Sequence, residues 1–320
     1  MTTATADLQH TFRAMATDVH LHVVDPTAAA RAALQRAEDV VAAVASTCTR
    51  FDPSSALMRV NAAPRQWHRV PAELYAALRE AYDAYRLTGG AFDPRVLETL
   101  TSWGYDRSLP FRSGAVAVAA GPAAPPRPPG RRTWRPRFDE RQHAVRLGPV
   151  PVDLGGIGKG LAVRWAAREL AGAGRAGLVE AGGDLYAAGS GPEGAGWNVA
   201  VEDPRGGDEP LAVLTLSDLA CATSSVRLRH WRVDGQDVHH LIDPRTGRPA
   251  RSGLLSVTVV AADPALAEVW SKALFLAGRG RVRQVADEQG LAAMLVGSDG
   301  SVGLSRAMRP YVSWQVSRDR

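Results

Sequence analysis

The chain has 320 residues, of which 45% are hydrophobic and 22% charged, the balance of a folded globular protein rather than a disordered or fibrous one. No apolar run nears the roughly 20 residues that cross a bilayer, and two cysteines cannot staple a fold of this length. Lys+Arg 38 against Asp+Glu 33 gives +5, which admits nucleic acid, an anionic membrane surface or an anionic small ligand.

The N-terminal stretch lacks a cationic segment, an apolar core and a lipid-attachment cysteine, so the sequence reads as cytoplasmic. Val19, Leu21 and Val23 alternate with polar residues and predict a half-buried strand. Leu34, Ala37, Val41 and Val44 recur at helical spacing and predict an amphipathic helix over about 28–48. A second helix is expected at about 72–87, ending at Gly89–Gly90. Residues 113–136 are rich in Ala, Pro and Arg and read as a long surface loop, part of a Pro/Arg-rich insert at about 113–141. Strand 143–152, a glycine-rich turn, helix 159–172 and strand 176–181 follow. Further strands are expected at 197–201, 211–216, 226–232 and 254–261. Asp263–Pro264 then opens a helix that Gly278 closes, with Asp as N-cap and Pro at the first turn. A helix–strand pair fills 280–296. There is no internal repeat, and the unstrict mixture of strands and helices predicts an α+β fold.

Much of the positive charge sits between Arg127 and Arg141. Lysine occurs only at Lys159 and Lys272, so the arginine surplus reads as a coding bias more than a nucleic-acid surface. Cys48 and Cys221 stand far apart in unlike contexts and read as reduced, semi-buried thiols without metal-ligand spacing.

Five constellations carry chemistry. Val152-Asp-Leu-Gly-Gly-Ile-Gly-Lys-Gly160 lies between a strand and a helix, where glycines admit a ligand and helix N–H groups favour an anion. Its glycine spacing fits neither a P-loop nor a dinucleotide fingerprint, and a tight strand–helix turn accounts for it equally well. Gly182–Gly183–Asp184 follows a strand. His239-His-Leu-Ile-Asp-Pro-Arg-Thr-Gly247 contains a strong turn signal, with His240 and Asp243 as an acid/base pair or as capping groups. Thr223-Ser-Ser225 is a hydroxyl cluster. Glu268, Ser271 and Lys272 share one helix face, as a surface ion pair or a cation-handling site.

Taken together and in order, these segments resemble the ApbE family of FAD:protein FMN transferases. The resemblance also includes Phe12-Arg-Ala-Met-Ala-Thr17, Arg50-Phe-Asp-Pro-Ser-Ser-Ala-Leu-Met-Arg-Val-Asn61 and Gly90-Ala-Phe-Asp-Pro94. It implies one ApbE-type unit over 1–320, with mixed sheets, packed helices and an FAD cleft between sub-lobes. It implies FAD as substrate, with FMN passed to a Thr or Ser hydroxyl of a target protein and AMP released. By match to the family pattern, Met15, Phe51, Ala91, Phe92, Asp93, Asp153, Lys159 and Ile242 would line the FAD site. His240 would accept the hydroxyl proton, with Lys159 and Asp243 as further catalytic candidates.

The family pattern also implies Mg2+, on Gly156, Glu268 and Ser271. Here the chain departs from it: Glu268 replaces Asp, and Lys272 stands where a Thr ligand is usual. An ammonium cannot ligate a metal, so the residues point to Lys272, held by Glu268, as the pyrophosphate counter-charge. The expected partner is an acceptor protein, with no nucleic acid and no membrane span, and the chain is a monomer or homodimer. The alternative reading is an FAD-binding protein, a flavin carrier or weak FAD pyrophosphatase with an impaired metal site. A nucleic-acid role through the arginine-rich loop is the third reading, and predicts steeply salt-dependent binding.

Overall fold

The computed structural model describes residues 6–111, 116–118 and 133–316, so most of the Pro/Arg-rich insert lies outside the described residues. The chain divides into two compact units: Met1–Ala42, Lys159–Ser224 and Gly253–Arg320 form the first, Ala43–Gly158 and Ser225–Ser252 the second. Helices and mostly antiparallel sheets occur together, as an α+β chain requires.

The first unit is built on an eight-stranded sheet. Its strands are β1 (Leu8–Ala14), β2 (Thr17–Val24), β3 (Ala176–Ala181), β4 (Asp184–Ala188), β5 (Leu219–Ser225), β6 (Leu254–Ala261), β7 (Ala292–Gly297) and β8 (Val302–Leu304), side by side in that order. The pairs given by register are antiparallel, as in Val19↔Ala181 and Thr258↔Met294. A three-stranded sheet of Trp197–Glu202, Pro210–Leu216 and Val312–Gln315 shares its core. Trp197, Leu211, Leu214 and Leu216 there meet Leu185, Met294 and Val296.

Helix α1 (Ala30–Thr47), helix α2 (Gly158–Glu169) and helix α3 (Pro264–Ala277) realise three sequence expectations within a few residues. Asp263 caps α3 by accepting from the Leu266 N–H at 3.0 Å, and Gly278 ends it at φ +78°. Ten of the fourteen α3 residues are buried, Glu268 and Ser271 among them. The helix packs on β6.

The second unit holds helices Ala56–Ala62, Ala72–Leu87 and Leu97–Ser102 with short sheets. Its best-defined core joins Leu100, Trp103, Tyr105, Trp231, Val238 and Ile242. The Trp231 indole N–H donates to the Trp103 carbonyl at 2.7 Å.

Two expectations need correction, and one hairpin was not foreseen. The strand expected at 143–152 is only Ala144–Arg146, because Gly148 sits at φ +107° and Pro149 and Pro151 cannot donate to a ladder. The strand expected at 226–232 is instead β5 followed by His230–Val233. Between them the Ser225 hydroxyl accepts from the Arg227 N–H at 3.1 Å, a local turn that competes with strand pairing. The β1–β2 hairpin escaped notice because its turn residues, Met15 and Ala16, adopt φ +50° and +61° without the Gly or Asn that marks such turns.

Candidate functional site

In the second unit, three of the motif segments converge. Asn61 pairs with Val152 like a neighbouring strand: its amide donates to the Val152 carbonyl at 2.8 Å and its carbonyl accepts from the Val152 N–H at 2.9 Å. The next residue, Asp153, donates its N–H to the Pro94 carbonyl at 2.7 Å. Its carboxylate accepts from the Gly155 N–H at 3.1 Å and faces the Arg50 Nε at 3.6 Å. The segments 50–61, 90–94 and 152–155 are thus tied at the backbone, and the glycine turn begins from a fixed point.

Arg50 was missed as a site residue by sequence reasoning. Its guanidinium lies 4.2 Å from the ring centres of both Phe51 and Tyr105, donates to the Tyr105 carbonyl, and is almost wholly buried. Its Nη2 has no hydrogen-bond partner among the described residues, a cost that a buried donor bears unless a ligand meets it. Phe51 is exposed and Phe92 buried, so the two rings expected to meet a flavin differ in access. Ala91 is half-buried beside Phe92, and Ile242 sits in the aromatic core.

Asp93 forms an Asp-Pro-Arg turn. Its carboxylate accepts the Arg95 N–H at 3.0 Å, the Arg95 Nε at 3.0 Å and the Nη2 at 2.7 Å. Asp203–Arg205 and Asp243–Arg245 repeat this arrangement. Proline fixes the middle φ, the carboxylate closes an Asx-turn, and the guanidinium returns to the same carboxylate as a two-pronged pair. Asp243 therefore shapes the turn after His240 through Arg245, with Gly247 closing the turn by donating to the Asp243 carbonyl at 2.8 Å.

His240 follows the strand Gln236–His239 and is half-buried. Its Nδ1 lies 3.3 Å from the Arg229 carbonyl. A carbonyl only accepts, so Nδ1 carries the hydrogen and Nε2 the basic lone pair. Its neighbour His239 instead bonds the Ala250 carbonyl at 3.0 Å through Nε2, and burial pulls its pKa below the ordinary histidine value.

The first unit gathers the remaining motifs into a buried charge cluster. Gly182 and Gly183, at φ +62° and +89°, turn β3 into β4 and set Asp184 at the strand start. A Cβ at Gly182 would lie 2.6 Å from the Thr17 hydroxyl, which puts the Met15–Thr17 hairpin turn at the same sheet end. Asp184 is ion-paired to Lys159, at the start of α2. Gly160 lets α2 meet α3, since a Cβ there would lie 2.6 Å from the Pro264 carbonyl oxygen. Close helix packing thus requires a glycine at this position. The Gly160 N–H donates to Glu268 Oε2 at 2.8 Å, and Lys272 Nζ lies 3.1 Å from Glu268 Oε1. The Ser271 hydroxyl donates to the Glu268 carbonyl at 2.8 Å and accepts from Ser224 at 2.7 Å. Thr223 pairs with Thr258 at 2.9 Å.

Two carboxylates in one buried cluster titrate apart. Burial raises the Asp184 carboxyl above its ordinary range against the pull of Lys159, with Glu268 adding to the rise. Burial also opposes ionisation of Glu268, but Lys272, Lys159 and the Gly160 N–H outweigh it and hold that carboxyl below its ordinary range. The thiols stand aside from this chemistry: burial pushes Cys221 up to about 12 and Cys48 up to about 11. Gly156 lies in the turn ahead of α2. Among the described residues no helix is long and apolar enough to cross a membrane.

A family model described as the ApbE family matches residues 15–295. The FAD:protein FMN transferase of Klebsiella pneumoniae (strain 342) is 31% identical over 234 residues, covering 70% of this chain and 64% of that protein. The FAD:protein FMN transferase of Haemophilus influenzae is 27% identical over 302 residues, covering 89% and 84%. The chain thus spans just under two thirds of the Klebsiella relative, and 50% of the one from Salmonella typhimurium. Among solved structures, the ApbE protein of Thermotoga maritima matches with a TM-score of 0.81 and 28% identity over 96% of this chain and 99% of that one. The flavin transferase ApbE of Vibrio cholerae, with a TM-score of 0.76 and 21% identity over 96% and 99%, shares the fold. With a family model matched over most of its length and its motifs gathered in the clusters described, the chain belongs to the ApbE family.

Proposed function

We propose that this chain is an FAD:protein FMN transferase, acting as one catalytic unit over 1–320 with FAD as substrate. Membership of the family across residues 15–295 carries the reading. The two clusters support it. Lys159, fixed by Asp184 at the start of α2, gives positive charge beside helix N–H groups, a setting suited to a pyrophosphate. Arg50, Phe51 and Tyr105 offer ring faces and a buried unpaired N–H, a setting suited to an aromatic ligand with acceptor atoms. Met15, Ala91, Phe92, Asp93, Asp153 and Ile242 complete the proposed FAD residues.

In the proposed reaction an acceptor Thr or Ser hydroxyl attacks the phosphorus of the FMN half. The new O–P bond forms as the P–O bond to the AMP phosphate breaks, and the bonding pair leaves with AMP. His240 Nε2 takes the hydroxyl proton, since Nδ1–H is committed to Arg229. Asp243 is a positioning residue that holds the following turn through Arg245.

The family's magnesium finds a poor set of donors on α3. Both Glu268 oxygens are engaged, the Ser271 hydroxyl is already paired twice, and Lys272 stands at a ligand position. The residues present do not fit the ion, so no step is routed through it. Incubation with FAD tests the reading: AMP appears if the chain is a transferase. FAD that binds and stays intact favours the carrier alternative.

A further inference from the structure

We infer that the Lys272 ammonium permanently takes the place of a divalent ion on the α3 face, so that FAD turnover by this chain needs no metal there. The inference rests on the transferase reading for its chemistry, and on the first unit alone for its geometry.

Charge balance is the first argument. Lys159 and Lys272 supply two positive charges, Asp184 and Glu268 two negative ones, and the cluster is formally neutral. Glu268 is 0% exposed and Asp184 2% exposed. With no substrate bound, adding a dication to this buried group would leave two positive charges uncompensated, a severe cost away from water.

Donor bookkeeping is the second. Glu268 Oε2 accepts from the Gly160 N–H and Oε1 from Lys272. Ser271 spends its hydrogen on the Glu268 carbonyl and accepts from Ser224. An ion here would displace several bonds made at ordinary lengths.

The third concerns what Lys272 retains. An ammonium has three N–H donors. Lys272 uses two on the Glu268 carboxylate and carbonyl, at 3.1 and 3.4 Å, and its side chain keeps 16% of its surface exposed. One donor therefore remains for a ligand oxygen. During transfer the remaining N–H of Lys272 stabilises charge on the phosphoryl oxygens. Glu268 holds it in place, and Gly160 holds Glu268.

Mn2+ titration followed by electron paramagnetic resonance, with AMP release from FAD in parallel, tests this. For the wild-type chain the expected result is no stoichiometric Mn2+ binding and AMP release unchanged by EDTA. Lys272→Thr removes one positive charge and restores an oxygen at that position. That variant is expected to bind one Mn2+, and its AMP release to fall about a hundredfold in EDTA and return with Mg2+. Stoichiometric Mn2+ binding by the wild type, or EDTA inhibition that Mg2+ reverses, overturns the inference. The wild-type Mn2+ titration decides even if Lys272→Thr does not fold. It also decides if no condition yields AMP, a result that would sink the transferase reading instead.

Discussion

His240 and His239 stand side by side and meet different carbonyls. The Arg229 carbonyl lies 3.3 Å from Nδ1 of His240, the position in which it accepts a hydrogen carried on that atom. His240→Gln is therefore expected to lower AMP release by about a hundredfold or more while FAD affinity stays unchanged, read by fluorescence quenching and turnover on one sample. A parallel loss of affinity would mean that the residue serves binding. His239 is a half-buried group whose pKa lies below its ordinary value, because burial disfavours the cation and outweighs the bond to Ala250. A depressed folded-state value means that its contribution to stability is present above about pH 6.5, the unfolded value, and is lost as pH falls through the lower folded value. Urea midpoints measured down this range are expected to drop less steeply in His239→Gln than in the wild type. At this scale the sequence was informative about residue type and blind to partners. It offered Asp243 as a catalytic candidate, but only coordinates show that its carboxylate is taken by Arg245. Arg50 sat in plain view in a quoted motif, and nothing in its spacing said that one of its nitrogens would be buried without a partner.

The same local device recurs among the elements with different consequences. The Asp93–Arg95 pair has both side chains 5% exposed, whereas Arg205 in the matching Asp203 turn is 48% exposed. Asp93→Asn removes the carboxylate charge facing a buried guanidinium and is expected to cost about 3 kcal/mol in urea unfolding. Asp203→Asn should leave the midpoint nearly unchanged, because water screens the exposed pair. Equal effects would contradict this use of burial. The α2–α3 contact gives a second element-scale expectation. Gly160→Ala forces a methyl onto the Pro264 carbonyl and is expected to cost about 1–3 kcal/mol, with the Glu268 bond weakened as the helices part. An unchanged unfolding midpoint would show that the helices yield freely. Helices with strong apolar periodicity, such as α1 and α3, were legible within a few residues, and Asp263–Pro264 and Gly278 marked α3 at both ends. Strands were legible where buried residues alternate, as in β2, or run together, as in β6. They were lost where ordinary residues carry the turn, as in the β1–β2 hairpin, or where a hydroxyl cut an alternating run, as after Ser225.

For the whole molecule, several arginines are engaged in local ion pairs. Arg13, Arg36, Arg175, Arg232 and Arg279 each bond a nearby carboxylate. The two lysines are the exception: both are directed into one neutral buried cluster of the first unit. The sequence singled them out by rarity, and the coordinates supply the reason. The family pattern made most candidate residues nameable in advance. The closed hydrogen bonding around Glu268 was not, since it depends on α2, α3 and β5 arriving at one place. The proposed reaction moves FMN from FAD to a protein hydroxyl. Its most direct test mixes the chain with FAD and a threonine-bearing acceptor protein, then measures AMP by chromatography and acceptor-bound flavin by in-gel fluorescence. The account predicts AMP and covalently bound flavin in equal amounts. Intact FAD throughout, or AMP with only free FMN and an unlabelled acceptor, would contradict it.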